Sequence, residues 1–268
     1  MHAREALCKS FARVTPYADD VTVMARPEIT YWKSPRPAAV LNTVRMVQAA
    51  ESEVPRLVEE VVRAHRGGPS SWYVQTEGGP LSEALASAGY APSYRAQGYW
   101  IGVDQPGPAA SEIVVERVET MAQLAQFFHI DAVVFGEGAP VDEREYAATA
   151  RVCFGDDAQL RCFVAYRSAA SREPISCGRL YMFPELEFGL LQASATLPHA
   201  RGLGGYRALL AARIAYAREH GLPRVGLYAM EGTSAPIVAR QGFRPCGSLV
   251  NWGARCAAVR APRFPRHQ

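Results

Sequence analysis

Two kinds of hydrophobic spacing alternate along this chain, and together they predict an α/β protein. Apolar residues three and four positions apart predict amphipathic helices, of which residues 51–65 form the clearest. Short runs rich in β-branched and aromatic residues, such as Ile113–Val118 and Val225–Met230, predict strands between the helices. The expected apolar face of the helix at 51–65 comprises Val54, Leu57, Val58, Val61 and Val62.

Residues 193–221 are the most informative stretch, because they predict a strand, a sharp turn and a long helix. The strand Phe188–Leu197 ends at Pro198, which has no N–H to donate to a sheet. Glycines at 202, 204 and 205 follow and allow a tight turn with a closely approached backbone. The helix is expected from Tyr206 to Gly221. Its predicted apolar residues are Leu209, Leu210, Ile214 and Ala217, with Arg207, Arg213 and Arg218 between them.

A glycine turn that opens a helix can hold phosphate. The first backbone N–H groups of the helix are unpaired, and its dipole adds partial positive charge. Arg201 supplies a full charge at the entrance. The motif is not a P-loop, because Lys9 and Lys33 are the only lysines, and Arg207 breaks a G-x-G-x-x-G pattern. The alternative is a glycine-rich helix start that serves only tight packing.

Composition shifts divide the chain into two parts. Residues 105–111 are rich in proline and alanine and predict a linker between domains at 1–104 and 112–256, followed by a flexible tail at 257–268. The two domains share an order of landmarks, which suggests two copies of one unit, with chance as the alternative. The paired landmarks, at offsets of 154, 153 and 152, are Pro69 and Pro223, Gly89 and Gly242, and Trp100 and Trp252.

The pattern of strand, Pro-x-x-Arg-Gly-x-Gly and helix resembles the acyl-CoA pyrophosphate loop of the GNAT superfamily of N-acyltransferases. The matching residues are Pro198, Arg201, Gly202 and Gly204, whereas Tyr206 stands where the family often has Gly or Ala. The order of elements over 113–256 also resembles the GNAT fold. The resemblance implies an α/β fold with an α+β mixed sheet and two GNAT-like units. The N-terminal unit would be degenerate, since the segment corresponding to the loop reads VQAAE.

The resemblance further implies that acetyl-CoA is the acyl donor and that an amine is the acceptor. Exposed strand backbone at Ser194, Ala195 and Thr196 would pair with the pantetheine amides. The pyrophosphate would lie on the turn, formed by Arg201, Gly202, Leu203, Gly204, Gly205 and Tyr206.

Catalysis would require a base for the amine and an acid for the leaving thiolate. Glu187 is the first candidate base and Glu185 the second, since both precede the core of the cofactor strand and would share one strand face. The family's usual acid, a tyrosine, is replaced by Val238, which leaves Tyr206 or Tyr228 as substitutes.

Three further residues are weaker candidates. His129 lies beside two phenylalanines and is more simply a core residue. His199 precedes Arg201 and could assist phosphate binding, although a solvated turn residue is the simpler reading. Glu137 could attract a cationic amine from a loop beside the acceptor cleft, although a solvated loop charge is the simpler reading.

The composition of the chain gives no support to nucleic-acid binding, metal binding or a membrane location. The net charge of +3, from 29 basic and 26 acidic residues, does not favour nucleic acid as a partner. The six cysteines form no C-x-x-C pair, so we expect free thiols and no metal. No signal peptide or membrane span is apparent, which predicts a cytoplasmic protein. Nearly all the basic residues are arginine, a composition typical of a GC-rich bacterial genome.

The sequence therefore predicts an acetyl-CoA-dependent N-acetyltransferase. The alternative is a non-catalytic acyl-CoA-binding regulatory protein, and a third reading is a structural α/β module without a cofactor. The exposed sheet edge of the first copy could pair with the second copy or with another chain in a homodimer.

Overall fold

The computed structural model describes residues 1–16, 18–66, 68–75, 78–105, 112–136, 143–155 and 158–254. Within them the helices are α1 (Ala3–Ala12), α2 (Val54–Ala64), α3 (Gly79–Ser87), α4 (Met121–Phe135), α5 (Glu143–Cys153), α6 (Gly205–Glu219) and α7 (Ala235–Arg240). The strands are β1 (Thr22–Ala25), β2 (Ile29–Lys33), β3 (Thr43–Val47), β4 (Ser71–Val74), β5 (Tyr90–Gly102), β6 (Val114–Arg117), β7 (Leu160–Tyr166), β8 (Pro174–Phe183), β9 (Phe188–Thr196), β10 (Arg224–Met230) and β11 (Arg244–Ala254). The expected linker beyond residue 105, Glu137 and the tail lie outside the described residues.

The chain forms two compact units that are not continuous in sequence. The larger unit comprises residues 1–19, 98–228 and 236–246. The smaller unit comprises residues 20–97 and 229–235 and the chain from residue 247.

The larger unit contains a mixed sheet with the strand order β5-β10-β9-β8-β7-β6. Strands β6 to β9 are antiparallel neighbours, whereas β9 and β10 are parallel and are connected by α6. The predicted α/β class with a mixed sheet is therefore confirmed. Helix α4 begins at a capping box. The Thr120 side chain accepts a hydrogen bond from the Gln123 backbone N–H, and the Gln123 side chain accepts one from the Thr120 backbone N–H.

The smaller unit contains the strand order β1-β2-β3-β4-β11, in which only β3 and β4 are parallel. Its core joins α2 and α3 to one sheet face around the fully buried Trp72. Four of the five residues predicted for the apolar face of α2 are buried, namely Val54, Leu57, Val58 and Val61, and Val62 is partly buried against the same core. Strands β1 and β3 are additional elements that the hydrophobic pattern did not predict.

The order strand-helix-strand-helix-strand occurs twice in the chain. It runs from β3 to β5 and again from β9 to β11, and in each case the first two strands are parallel. The last strand of each series lies beside a strand of the other series. The end of β5 lies beside β10 in the larger unit, and β11 pairs with β4 in the smaller unit.

Candidate functional site

Strand β9 leaves part of its backbone edge open in the larger unit. It pairs with β10 only at Gly189 with Val225 and Leu190 with Gly226 within the described residues. It then continues to Thr196 with β8 as its neighbour on the other side. The edge beyond Leu190 is consequently available to an extended ligand that can pair as an added strand.

A bulge bends β9 within this open stretch. Gln192 pairs with Arg179 and Ala195 pairs with Cys177, so Ala193 and Ser194 together oppose the single residue Gly178. Ala193 has a φ of 46°, a left-handed conformation that costs free energy for a residue with a Cβ. Of the three predicted pantetheine-binding residues, Ser194 therefore lies in the bulge and Ala195 directly follows it.

The predicted turn has the conformation that glycine permits. Gly202 and Gly204 have φ values of 83° and 93°, in the left-handed region. Gly204 is the N-cap of α6, and no side chain caps this helix. The first intrahelical bond runs from the Ala208 N–H to the Gly204 carbonyl. The N–H groups of Gly205, Tyr206 and Arg207 precede that bond and can bind an anion.

Gly205 brings the turn against β8, at Ser176. A Cβ on Gly205 would lie 2.3 Å from Ser176 Oγ, so only glycine allows this approach. Ser176 in turn donates to Thr196 Oγ1 at 2.9 Å. The open strand edge and the start of α6 are thereby joined through Ser176.

Positive charge surrounds the turn. The side chains of Arg201 and Arg207 are exposed, and the guanidinium of Arg207 lies near Gly204. His199 instead lies 3.0 Å from Glu173, whose pKa is lowered chiefly by its hydrogen bond to Arg167. His199 is therefore paired with a carboxylate at the edge of the turn.

Tyr206 lies in the first turn of α6. Burial raises the pKa of its hydroxyl to about 12, against an opposing effect of Arg213. The phenol is consequently neutral and retains its proton at pH 7. Tyr228, by contrast, has its hydroxyl 3.5 Å from the Cys8 thiol of α1, and burial raises its pKa.

Glu185 and Glu187 lie in a turn between β8 and β9. Residues 184–186 form a short 3-10 helix, and Glu187 is left-handed with a φ of 50°. The expectation that both side chains share one strand face is therefore wrong, because neither residue is in the strand. Glu187 pairs with Arg224 at 3.4 Å and Glu185 with Arg13 at 3.0 Å, and both carboxylates are largely exposed.

The remaining candidates do not join the turn. His129 is exposed on α4, which corrects its interpretation as a core residue. Val238 is fully buried in α7, at the position where the family resemblance would place a tyrosine. The described cysteines are free, and no group of metal ligands occurs in the described part of the chain. No described helix has the length and hydropathy needed to cross a bilayer.

Arg213 is a site residue that the sequence interpretation misplaced. It was expected between the apolar positions of α6, yet its side chain is fully buried. It donates to Ser194 Oγ at 2.8 Å and therefore contacts the bulge directly. Its spacing of four residues from Leu209 was the available signal, because that spacing places it on the inward face of the helix.

Comparisons with known proteins bear on the family and on the fold. Residues 122–243 match the model of the acetyltransferase (GNAT) family. A GCN5-related N-acetyltransferase from Kribbella flavida is 14% identical with a TM-score of 0.66, and the match covers 96% of this chain and 95% of that chain. A GCN5-related N-acetyltransferase from Sphaerobacter thermophilus is 15% identical with a TM-score of 0.64, over 87% and 75% of the two chains.

A tandem GNAT protein from the clavulanic acid biosynthesis pathway is 16% identical with a TM-score of 0.59, over 94% of this chain and 89% of that chain. No curated protein matches the chain by sequence. The structural matches establish the fold, and the family model spans α4 to α7 with the glycine turn between them. The chain carries a domain of the GNAT acetyltransferase family over residues 122–243.

Proposed function

We propose that this chain is a cytoplasmic, acetyl-CoA-dependent N-acetyltransferase that transfers the acetyl group to an amine. A GNAT domain supports acyl transfer from acyl-CoA in general. The observation that carries the proposal is the open edge of β9 beside the uncapped start of α6. An acyl-CoA has amides that can pair with the open edge of β9 and a pyrophosphate that can bind at the start of α6.

The donor would lie along these two features in order. The backbone of Ser194, Ala195 and Thr196 pairs with the pantetheine amides. The pyrophosphate accepts from the N–H groups of the turn, which runs from Gly202 through Leu203 to Tyr206. Arg201 and Arg207 add charge from solvent, where each contact is screened by salt.

The reaction is direct attack of a neutral amine on the thioester. The amine nitrogen forms a bond to the acetyl carbon, the carbon–sulfur bond breaks, and the sulfur leaves with the electron pair. We assign the amine proton to Glu187, through water where the distance requires it, and the proton for the thiolate to Tyr206. Burial raises the pKa of Tyr206 to about 12, which keeps the phenol protonated at neutral pH but makes it a weaker acid than a solvated tyrosine.

Replacement of Glu187 by Gln should lower kcat/KM for the amine about 100-fold, as expected for loss of a general base. The affinity for acetyl-CoA should not change, since Glu187 lies at the other end of β9 from the turn. Glu185→Gln is the matched control, because Glu185 belongs to the same turn and also forms an exposed ion pair. Equal rates for the two variants would remove Glu187 from the mechanism.

Replacement of Tyr206 by Phe should lower kcat about tenfold or more, by an equal factor from pH 6.5 to 9, because the phenol stays protonated over that range. Steady-state rates across this range are the measurement. Tyr216→Phe is the control on the same helix, where the hydroxyl accepts from Arg161 instead. A Tyr206→Phe enzyme with wild-type kcat would show that the thiolate leaves without this acid.

The N-terminal series of elements is proposed to be a degenerate GNAT-like copy within residues 1–104, with the active copy at 112–256. Helix α2 is preceded by the acidic turn Glu51–Glu53, which contains no glycine. Two carboxylates at this helix start would repel a pyrophosphate. We expect one acetyl-CoA per chain in consequence.

Titration calorimetry of acetyl-CoA into the purified protein tests the proposal, with desulfo-CoA and ATP for comparison. We expect both CoA compounds to bind at one site per chain and ATP not to bind. Absence of binding by both CoA compounds would refute the proposal.

A second candidate function, a non-catalytic acyl-CoA-binding regulator, is favoured by one observation. The position of the family's usual acid is the buried Val238. Thiol release from acetyl-CoA across a panel of small amines, peptides and proteins distinguishes the two functions. Binding without amine-dependent release would favour the regulator.

A further inference from the structure

Arg213 is a fully buried arginine whose hydrogen bonds join three elements. Its Nε donates to the Leu209 carbonyl within α6 at 3.0 Å. Its Nη1 donates to the Arg179 carbonyl of β8 at 3.0 Å, and its Nη2 donates to Ser194 Oγ of β9 at 2.8 Å. The guanidinium therefore connects the helix that begins at the glycine turn with the bulged part of the strand.

The space for this guanidinium is built into the sheet. A Cβ on Gly178 would lie 2.7 Å from Nη1, so a side chain opposite the bulge would displace the guanidinium from this place. Burial lowers the pKa of Arg213 to about 10, which still leaves it charged at pH 7. No carboxylate pairs with it among the described residues. A buried cation without a counter-ion is costly, so its hydrogen bonds must be kept.

The bulge needs external support because Ala193 is left-handed without being glycine. Such a conformation persists only where the surroundings hold it. Ser194 follows immediately, and its hydroxyl accepts from Arg213. Thr196, on the same strand, is held separately by Ser176.

We propose that Arg213 is a positioning residue that fixes the bulge of β9 relative to the start of α6, and so sets the spacing between the strand backbone and the phosphate-binding turn. The inference rests on the proposed function, since acetyl-CoA must span both features. Arg213 does not contact the donor; it acts through Ser194 and the backbone of β8.

A double-mutant cycle of Arg213→Met, Ser194→Ala and the double variant tests this role, with the Kd of acetyl-CoA measured by calorimetry. We expect Arg213→Met to weaken binding at least tenfold and Ser194→Ala to weaken it about threefold. The double variant should bind as Arg213→Met does, because both changes break the same contact.

Arg161→Met is the matched control. Arg161 is also buried, and it also bonds to α6, through the Tyr216 hydroxyl at 2.8 Å, but it lies on β7. The Kd of acetyl-CoA for Arg161→Met should stay within twofold of the wild-type value, even if this variant has a lower melting temperature. Equal weakening by Arg161→Met, or additive effects in the cycle, would overturn the proposal.

Hydrogen exchange of the amides at 192–196 gives a readout that needs no ligand. Exchange should accelerate in Arg213→Met and Ser194→Ala and remain unchanged in Arg161→Met. If the wild-type protein binds no acetyl-CoA, the proposed function fails, while this exchange pattern still supports or refutes the positioning role. Ser194→Ala retains every buried charge, so the same measurements can be made on this variant if Arg213→Met does not fold.

Discussion

Replacement of Gly204 by Val should abolish acetyl-CoA binding, with an expected rise in Kd of about 100-fold or more. Gly204 has a φ of 93°, which a β-branched residue adopts only at a cost of about 1–3 kcal/mol. A Cβ would otherwise meet nothing closer than Arg207 Nη2 at 3.5 Å, so the effect arises from backbone conformation. The N–H groups at the start of α6 would turn away from the pyrophosphate. Calorimetry with acetyl-CoA measures the loss.

Gly221→Val controls for strain in this experiment. Gly221 follows the other end of α6 with a φ of 75°, and a Cβ there meets nothing within 4 Å. It should lower the unfolding free energy by a similar amount, and acetyl-CoA should bind normally. Normal binding to Gly204→Val would contradict the assignment of the turn as the phosphate site.

Replacement of Gly226 by Ala should lower the free energy of unfolding by about 3 kcal/mol, at the upper end of the cost of overpacking. A Cβ at this position would lie 2.5 Å from Phe188 Cζ and 2.7 Å from the Tyr99 carbonyl oxygen. The phenylalanine can move, but the backbone of β5 cannot move without disturbing the sheet. Chemical denaturation followed by circular dichroism measures the change.

Gly102→Ala provides the comparison, because a Cβ there would lie 3.9 Å from the Pro223 carbonyl, an ordinary contact. The free energy of unfolding of Gly102→Ala should lie within about 0.5 kcal/mol of the wild-type value. Matching midpoints for the two variants would show that β5 and β9 do not enclose β10 as closely as described.

The strand, turn and helix of the site could be predicted because their signals are local. Proline ends the strand, glycines permit left-handed φ values, and the helix has a periodic apolar face. The structure shifts the helix start by one residue, to Gly205. The bulge carries no such signal, because alanine adopts at 193 a conformation usually reserved for glycine.

Buried arginines account for two of the differences. Strand β3 was not predicted because Arg45 interrupts it, yet Arg45 is buried with its guanidinium 4.6 Å from the Trp32 ring. Arg213 was expected between the apolar positions of α6 and not among the buried ones, yet it is fully buried. Contacts with residues distant in sequence hold both guanidinium groups, and such residues cannot be identified from local spacing.

The late pairing of β11 has a consequence for synthesis on the ribosome. Strand β4 is complete at Val74, but its antiparallel neighbour consists of Val250 to Gly253. While the residues between β4 and β11 are synthesised, the nascent chain therefore presents one edge of β4 without its final partner. An unpaired strand edge invites association with other chains. During the interval between emergence of β4 and emergence of β11, this edge is therefore open to association with other chains.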